Sequence, residues 1–235
     1  MKHVPLNGFY TCFHLFLCIF NNLPDWTVAR GYGTLAAMDE RSQRIVKTAI
    51  DLAEEGGFEA VRLRDVAAHA KVALGTVYKR FRSKEDMLVA ALALEVSQLE
   101  HLINVTLPTG ETAQERLHSL FSTLTSTLAA RPKFSQAVIR AVASGEPEMA
   151  DKVLRFHAQM VTLIVGAINL SDEPALGEPE AALLAHMLQQ IWFAGLVGWM
   201  GGLHEPEEAV RQVAQAAHLM LAGMDALGES SILRD

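Results

Sequence analysis

Cysteine is nearly missing from this 235-residue chain, with only Cys12 and Cys18, both in the first twenty residues, and none in the 217 after Cys18. No disulfide framework and no cysteine-based zinc site can be read from that distribution. The histidines do not replace them: His118, His157, His186, His204 and His218 are scattered without metal-ligand spacing. His186 and Gln190 stand four apart and could touch a polar ligand group, although an interface histidine satisfied by its neighbours fits as well. Catalytic signatures are absent too, for there is no G-x-S-x-G, no P-loop, no G-x-G-x-x-G after a strand and no H-E-x-x-H. Glu146 and Glu148 read as helix N-terminal charges rather than an acid–base pair. An enzyme is therefore not expected, and neither a cofactor nor a metal is called for.

Strand alternation is missing as well. Beyond Pro108, Gly and Pro fall between runs of helical periodicity, which predicts helices over about 112–130, 133–144, 147–169, 178–202 and 205–227. With 50% hydrophobic and 20% charged residues, the chain can build a sizeable core in one or two all-α domains.

What is present is concentrated between Arg64 and Leu88. Val66, Ala67 and Ala70 put small apolar groups on one face of a short helix, and Lys71 to Ala73 form a turn. A second helix, Leu74 to Phe81, buries Val77 and Phe81, leaving Leu74, Gly75, Thr76, Tyr78 and Lys79 outward. Helix-turn-helix proteins lay such an element in the major groove of DNA. Ser83 then opens a third helix, with Asp86 making a capping-box-like pair and Lys84 at the first turn, where free N–H groups favour an anion such as a phosphate. Charge agrees locally. Ala60 to Lys84 holds seven basic residues against one acid, net +6, while residues 108–235 carry 8 basic and 15 acidic groups. DNA affinity is expected from one patch in an otherwise acidic protein.

The run GGFEAVRLRDVAAHAKVALGTVYKRFRSKEDML resembles the DNA-binding domain of the TetR family of transcriptional regulators, through Gly75-Thr76-Val77-Tyr78, Phe81 and Ser83-Lys84. The resemblance is strong over about residues 40–90 and weak beyond. It implies that Thr76, Tyr78 and Lys84 make base and backbone contacts, with Leu74, Gly75 and Lys79 beside them. Arg62 and Arg64, with the GTVYKRF run, look closest to the branch that represses steroid and cholesterol breakdown in actinobacteria. Two positions depart from the pattern: Arg62 and Ala73 stand where the family has Ser or Thr, and each loses a helix cap worth ~1 kcal/mol.

Residues 1–37 do not match the rest. FYTCFHLFLCIF, residues 9–20, is too short to span a bilayer as a helix. We read the segment as an extension ahead of a natural start at Met38; a flexible docking arm and an export or anchor segment are the other readings. The helix-turn-helix domain is then 38–84, and 85–235 carries a connecting helix, Lys84 to about Val105, plus a helical ligand-binding and dimerisation domain. The first helix, Asp39 to about Glu55, would pack over the motif, with Phe58 and Val61 as core anchors after it.

The family resemblance implies that the last two long helices pair with those of a second subunit. Leu183, Ala194, Val197, Val213, Ala217 and Leu221 are the expected homodimer contacts. A ligand pocket would draw on Phe121, Leu124, Phe134, Val138 and Phe156, together with Met160, Leu163, Ile164, Met187, Ile191 and Trp192. These large apolar groups suit a bulky hydrophobic effector, such as a steroid or an acyl-CoA-type metabolite, and Arg140 or Arg155 could meet an anionic group on it. The expected protein is a cytoplasmic homodimeric repressor. It would bind a palindromic operator in double-stranded DNA, be released by a hydrophobic small molecule, and need no membrane. A helical metabolite carrier or enzyme without DNA function is the alternative.

Overall fold

In the computed structural model the described backbone comprises residues 39–105, 108–145, 150–170 and 176–232, with side chains described for these except 97–105, 225 and 227–232. The 1–37 segment, with residues 9–20, Cys12 and Cys18, and the Glu146/Glu148 loop lie outside them. All regular structure among the described residues is helical: α1 Glu40–Gly56, a 3-10 turn Phe58–Ala60, α2 Leu63–His69, α3 Leu74–Arg80, α4 Lys84–Val105, α5 Ala113–Ala129, α6 Pro132–Val142, α7 Ala150–Ile168, α8 Glu178–Met200 and α9 Pro206–Ile232.

Two compact units emerge. One combines the described residues up to Gln98 with Pro132–Ala158, and the other combines Leu99–Arg131 with the chain from Gln159 onward. Packing in the first unit thus continues past the functional boundary drawn at residue 84.

In the first unit α1 starts where Asp39 accepts the backbone N–H of Ser42 at 2.8 Å. It stops at Gly57, whose φ of 69° suits glycine and whose N–H bonds Ala53 O. Ile45, Val46, Ala49, Ile50 and Ala53 form its buried stripe. Neither α2 nor α3 has a side-chain cap, as the Arg62 and Ala73 departures imply. Their packing supplies the stability instead: Val66, Ala67 and Ala70 are buried, as are Val77 and Phe81. Lys71 makes the turn between them at φ 53°, a left-handed conformation unusual for a side chain of this size.

At the start of α4, Ser83 Oγ accepts the N–H of Asp86 at 3.1 Å. The Asp86 carboxylate reaches one residue past the cap and accepts the N–H of Arg82 at 3.0 Å. Met87 to Ala93 are buried without a break, so this part of α4 is a core helix rather than a one-faced one. Helix α6 packs on α1 and the 3-10 turn, burying Phe134, Ala137, Val138 and Ala141. Two lysines tie the later helices to the earlier ones: Lys133 donates to Glu55 O at 2.8 Å at the end of α1, and Lys152 pairs with Asp86.

In the second unit α9 lies against both α8 and α5. Helix α5 opens with a complete capping box, Glu115 N to Thr112 Oγ1 at 3.2 Å and Thr112 N to Glu115 Oε2 at 3.1 Å. One turn on, Arg116 is 5% exposed. Its guanidinium donates to Ala167 O (2.8 Å), Ile168 O (2.9 Å) and Glu111 O (2.8 Å), so a buried cation closes the carbonyl end of α7. Trp192 stacks obliquely on Phe121, with centroids 5.6 Å apart, and donates its indole N–H to Thr125 Oγ1 at 2.9 Å.

Helix α8 is long and apolar enough to cross a membrane by length and composition, but half of that stretch is buried inside the protein. The buried half packs against α9 and, through Trp192, against α5.

Candidate nucleic-acid interface

The outward face of α3 follows from burying Val77 on its other side. Gly75, Tyr78 and Lys79 are exposed, Leu74 and Thr76 are half-buried, and Tyr78 stands 58% exposed on a short stiff arm. A Cβ added to Gly75 would touch nothing, so the start of the helix has open space before it. Arg62, Arg64, Leu74, Tyr78 and Lys84 line one hollow of about 460 Å³, together with Val61, Leu63, Glu59 and Asp65. Five residues singled out from three separate sequence segments therefore converge on one concavity. Gly75, Thr76 and Lys79 lie outside that lining.

The cations differ in how free they are. Arg80 is held by Asp39 Oδ2 at 2.5 Å and by Ser42, and it supports α1. The Asp39 carboxyl is lowered from 3.8 to about 2, first by its hydrogen bonds with Ser42 and then by Arg80. Lys84 Nζ donates to Glu59 Oε2 at 3.1 Å and sits 3.9 Å from the centre of the Phe58 ring. Arg140, from α6, lies 4.0 Å from the same ring and donates to Glu59 Oε1 at 3.2 Å. The Lys84 hydrogen bond and charge, then Arg140, hold the Glu59 carboxyl below the usual carboxylate range. Phe58 is half-buried beneath two cations rather than a full core anchor, whereas Val61 is fully buried. The sequence reading missed Glu59, since Lys84 lies 25 residues away and no helical spacing links the two.

The expected ligand-pocket residues divide between the units. Phe134, Val138 and Phe156 are buried in the first, and Phe121, Leu124, Met160, Leu163, Ile164 and Trp192 in the second. Met187 departs from the expectation, being 40% exposed on the outer face of α8, with Ile191 half-buried near it. Arg140 is engaged with Glu59 rather than with an apolar pocket. A hollow of about 850 Å³ between α5 and α9 presents a mainly apolar surface bordered by polar residues, Gln114, His118, Ser126, Arg211 and His218 among them, and is lined by none of the expected pocket residues. Burial of His186 lowers its pKa.

The dimer residues also divide. Leu183, Ala194 and Val197 are exposed on α8, and Leu221 is half-buried on α9. Val213 and Ala217 differ from these, being 0% and 1% exposed. Their side of α9 is the one turned into its own unit, so they offer no surface to a partner.

A three-helix unit with a basic hollow beside an outward-facing second motif helix, followed by a helical second unit, defines a DNA-binding regulator. The chain matches the tetR family of bacterial regulatory proteins over residues 45–91 and the tetracyclin repressor-like C-terminal domain over residues 110–220. It belongs to the TetR family of transcriptional regulators.

Among its relatives, the HTH-type transcriptional repressor KstR of Rhodococcus jostii (strain RHA1) is 30% identical over 185 residues, covering 79% of this chain and 84% of the relative. The protein of the same name from Mycobacterium tuberculosis (strain ATCC 25618 / H37Rv) is 27% identical over 191 residues, covering 80% and 84%. Among solved structures, a TetR transcriptional regulator from Rhodococcus sp. RHA1 superposes with a TM-score of 0.66 at 24% identity, covering 77% of this chain and 95% of that one. FadR from Bacillus subtilis in complex with stearoyl-CoA gives 0.57 at 19%, covering 77% and 98%. These structures share the fold.

Proposed function

We propose that this chain is a ligand-responsive repressor that binds a palindromic operator as a homodimer, acting in the cytoplasm where the chromosome lies. The observation that carries the reading is the hollow shared by Arg62, Arg64, Leu74, Tyr78 and Lys84 beside the free face of α3. Thr76 and Tyr78 would meet base edges, whereas Arg62, Arg64, Lys79 and Lys84 would meet phosphates. Two such faces in a two-fold dimer would stand one helical turn of DNA apart, ~34 Å. The similarity to two repressors named KstR supports repression.

The effector proposed is a hydrophobic small molecule, of the steroid or acyl-CoA type, taken up among the large apolar side chains of the ligand-binding domain. It would act by binding better to a conformation in which the two recognition helices no longer fit successive grooves. Its effect is bounded by its differential affinity for the two states.

The test is selection of bound fragments from the host genome by the purified protein at two salt concentrations, followed by challenge with steroids and acyl-CoA thioesters. A shared palindrome released by one of these classes is the expected outcome. Salt-sensitive binding without a common sequence, or folded protein with no DNA binding, would overturn the proposal.

A further inference from the structure

We propose that Glu59 competes with a DNA phosphate for Lys84, and that Arg140 on α6 decides how strongly it competes. This rests on the DNA-facing reading of the basic hollow. Lys84 opens α4, where free backbone N–H groups already favour an anion. Yet its ammonium is folded back onto the protein, with Glu59 Oε2 at 3.1 Å and the Phe58 ring at 3.9 Å. Glu59 itself lines the hollow, so a negative charge stands among the groups that would receive a phosphate. A phosphate arriving at Lys84 must displace this carboxylate or approach against it.

Glu59 has somewhere else to go. Its other oxygen accepts from Arg140 at 3.2 Å, and the Arg140 guanidinium lies 4.0 Å from the centre of the same Phe58 ring. The carboxylate is 70% exposed and is shared between the two cations, one oxygen on each. Arg140 neutralises part of the carboxylate's charge and so weakens its hold on Lys84; without Arg140 the whole charge of Glu59 falls to Lys84. Arg140 occupies the last turn of α6. The cluster is thus a charge relay in which Arg140 sets how much of the Glu59 charge is left to hold Lys84. It weakens DNA binding uniformly instead of altering which bases are read.

The experiment measures binding to a mixed-sequence DNA duplex and to a selected genomic fragment, by fluorescence anisotropy over a range of salt, for E59Q, R140Q, the double variant and K84A. Glu59→Gln should tighten both DNAs by roughly two- to fivefold at low salt, and steepen the salt dependence by up to about one released counterion. Arg140→Gln should weaken both, and that loss should vanish in the E59Q background. A loss that persists there would mean that Arg140 touches DNA itself and would overturn the relay. E59Q weakening binding would assign Glu59 to holding Lys84 in place, which also overturns it. No change in E59Q or R140Q, with K84A still weak, would sink the relay and leave the interface standing; K84A binding normally would remove the interface as well.

Discussion

Gly195 of α8 and Ala209 of α9 meet so closely that a Cβ built on the glycine would stand 2.8 Å from the Ala209 Cβ and 2.9 Å from its Cα. The obstacle is partly backbone, so rotating a side chain cannot relieve it. Gly195→Ala should therefore destabilise the protein by about 1–3 kcal/mol from overpacking, outweighing the ~1 kcal/mol gained in helix propensity. Calorimetric melting checks this. A variant as stable as the parent would mean that the two helices separate at little cost.

Arg116 offers a test in the same unit. Arg116→Met keeps the length of the side chain and removes every donor to Ala167 O, Ile168 O and Glu111 O. Buried carbonyls at the end of α7 would be left without partners, a loss of about 3 kcal/mol. Arg116→Lys should recover only part of it, since an ammonium lacks the planar fork. Full recovery by lysine, read from chemical denaturation midpoints, would show that charge alone is needed.

Acid should loosen the N-terminal anchor. The Asp39 carboxyl titrates at about 2 in the folded protein against an ordinary 3.8. Because the folded value is depressed, its contribution is present above about pH 4 and is lost as pH falls towards 2. Asp39→Asn keeps a capping side chain but not the charge facing Arg80, so its melting temperature should fall less than the parent's over that window. Equal falls would mean that the carboxylate adds nothing.

Base reading and phosphate binding should separate by mutation. Thr76→Ala is expected to reduce discrimination between operator and non-operator DNA. Lys84→Ala should weaken all sequences alike and lower the salt slope by ~1. Uniform loss in both variants would remove Thr76 from base reading.

On α8, Met187 and Val197 are 40% and 42% exposed. Met187→Glu combined with Val197→Glu should convert a dimer to a monomer in sedimentation equilibrium while leaving the helical content unchanged. Charges at the rim of an interface would be tolerated, whereas charges at its centre would not. An unchanged mass would place the contact elsewhere.

The helix order and most boundaries were legible because breakers bracket most of the longer runs: Gly56-Gly57 close α1, and Arg131-Pro132 separate α5 from α6. The last helix extends to Ile232, beyond the expected 227, and runs through Gly228 rather than stopping at it. Face assignments were harder. Val213 and Ala217 carry the same apolar signature whether they meet α8 and α5 or a second subunit, and periodicity cannot tell an internal partner from an external one. Met187, expected in a pocket and found 40% exposed, poses the same question in reverse. The Arg116 cap and the Glu59 cluster were invisible because both join residues far apart in the chain, where tertiary placement alone gives an arginine its carbonyls.

The apolar strip of Leu183, Met187 and Val197 left open on α8 has a consequence for dosage. If a second copy covers it, the active species scales with the square of the free subunit at low abundance. Halving expression would then cut operator occupancy by more than half. A gene silenced by this protein would respond to its abundance as a threshold rather than in proportion.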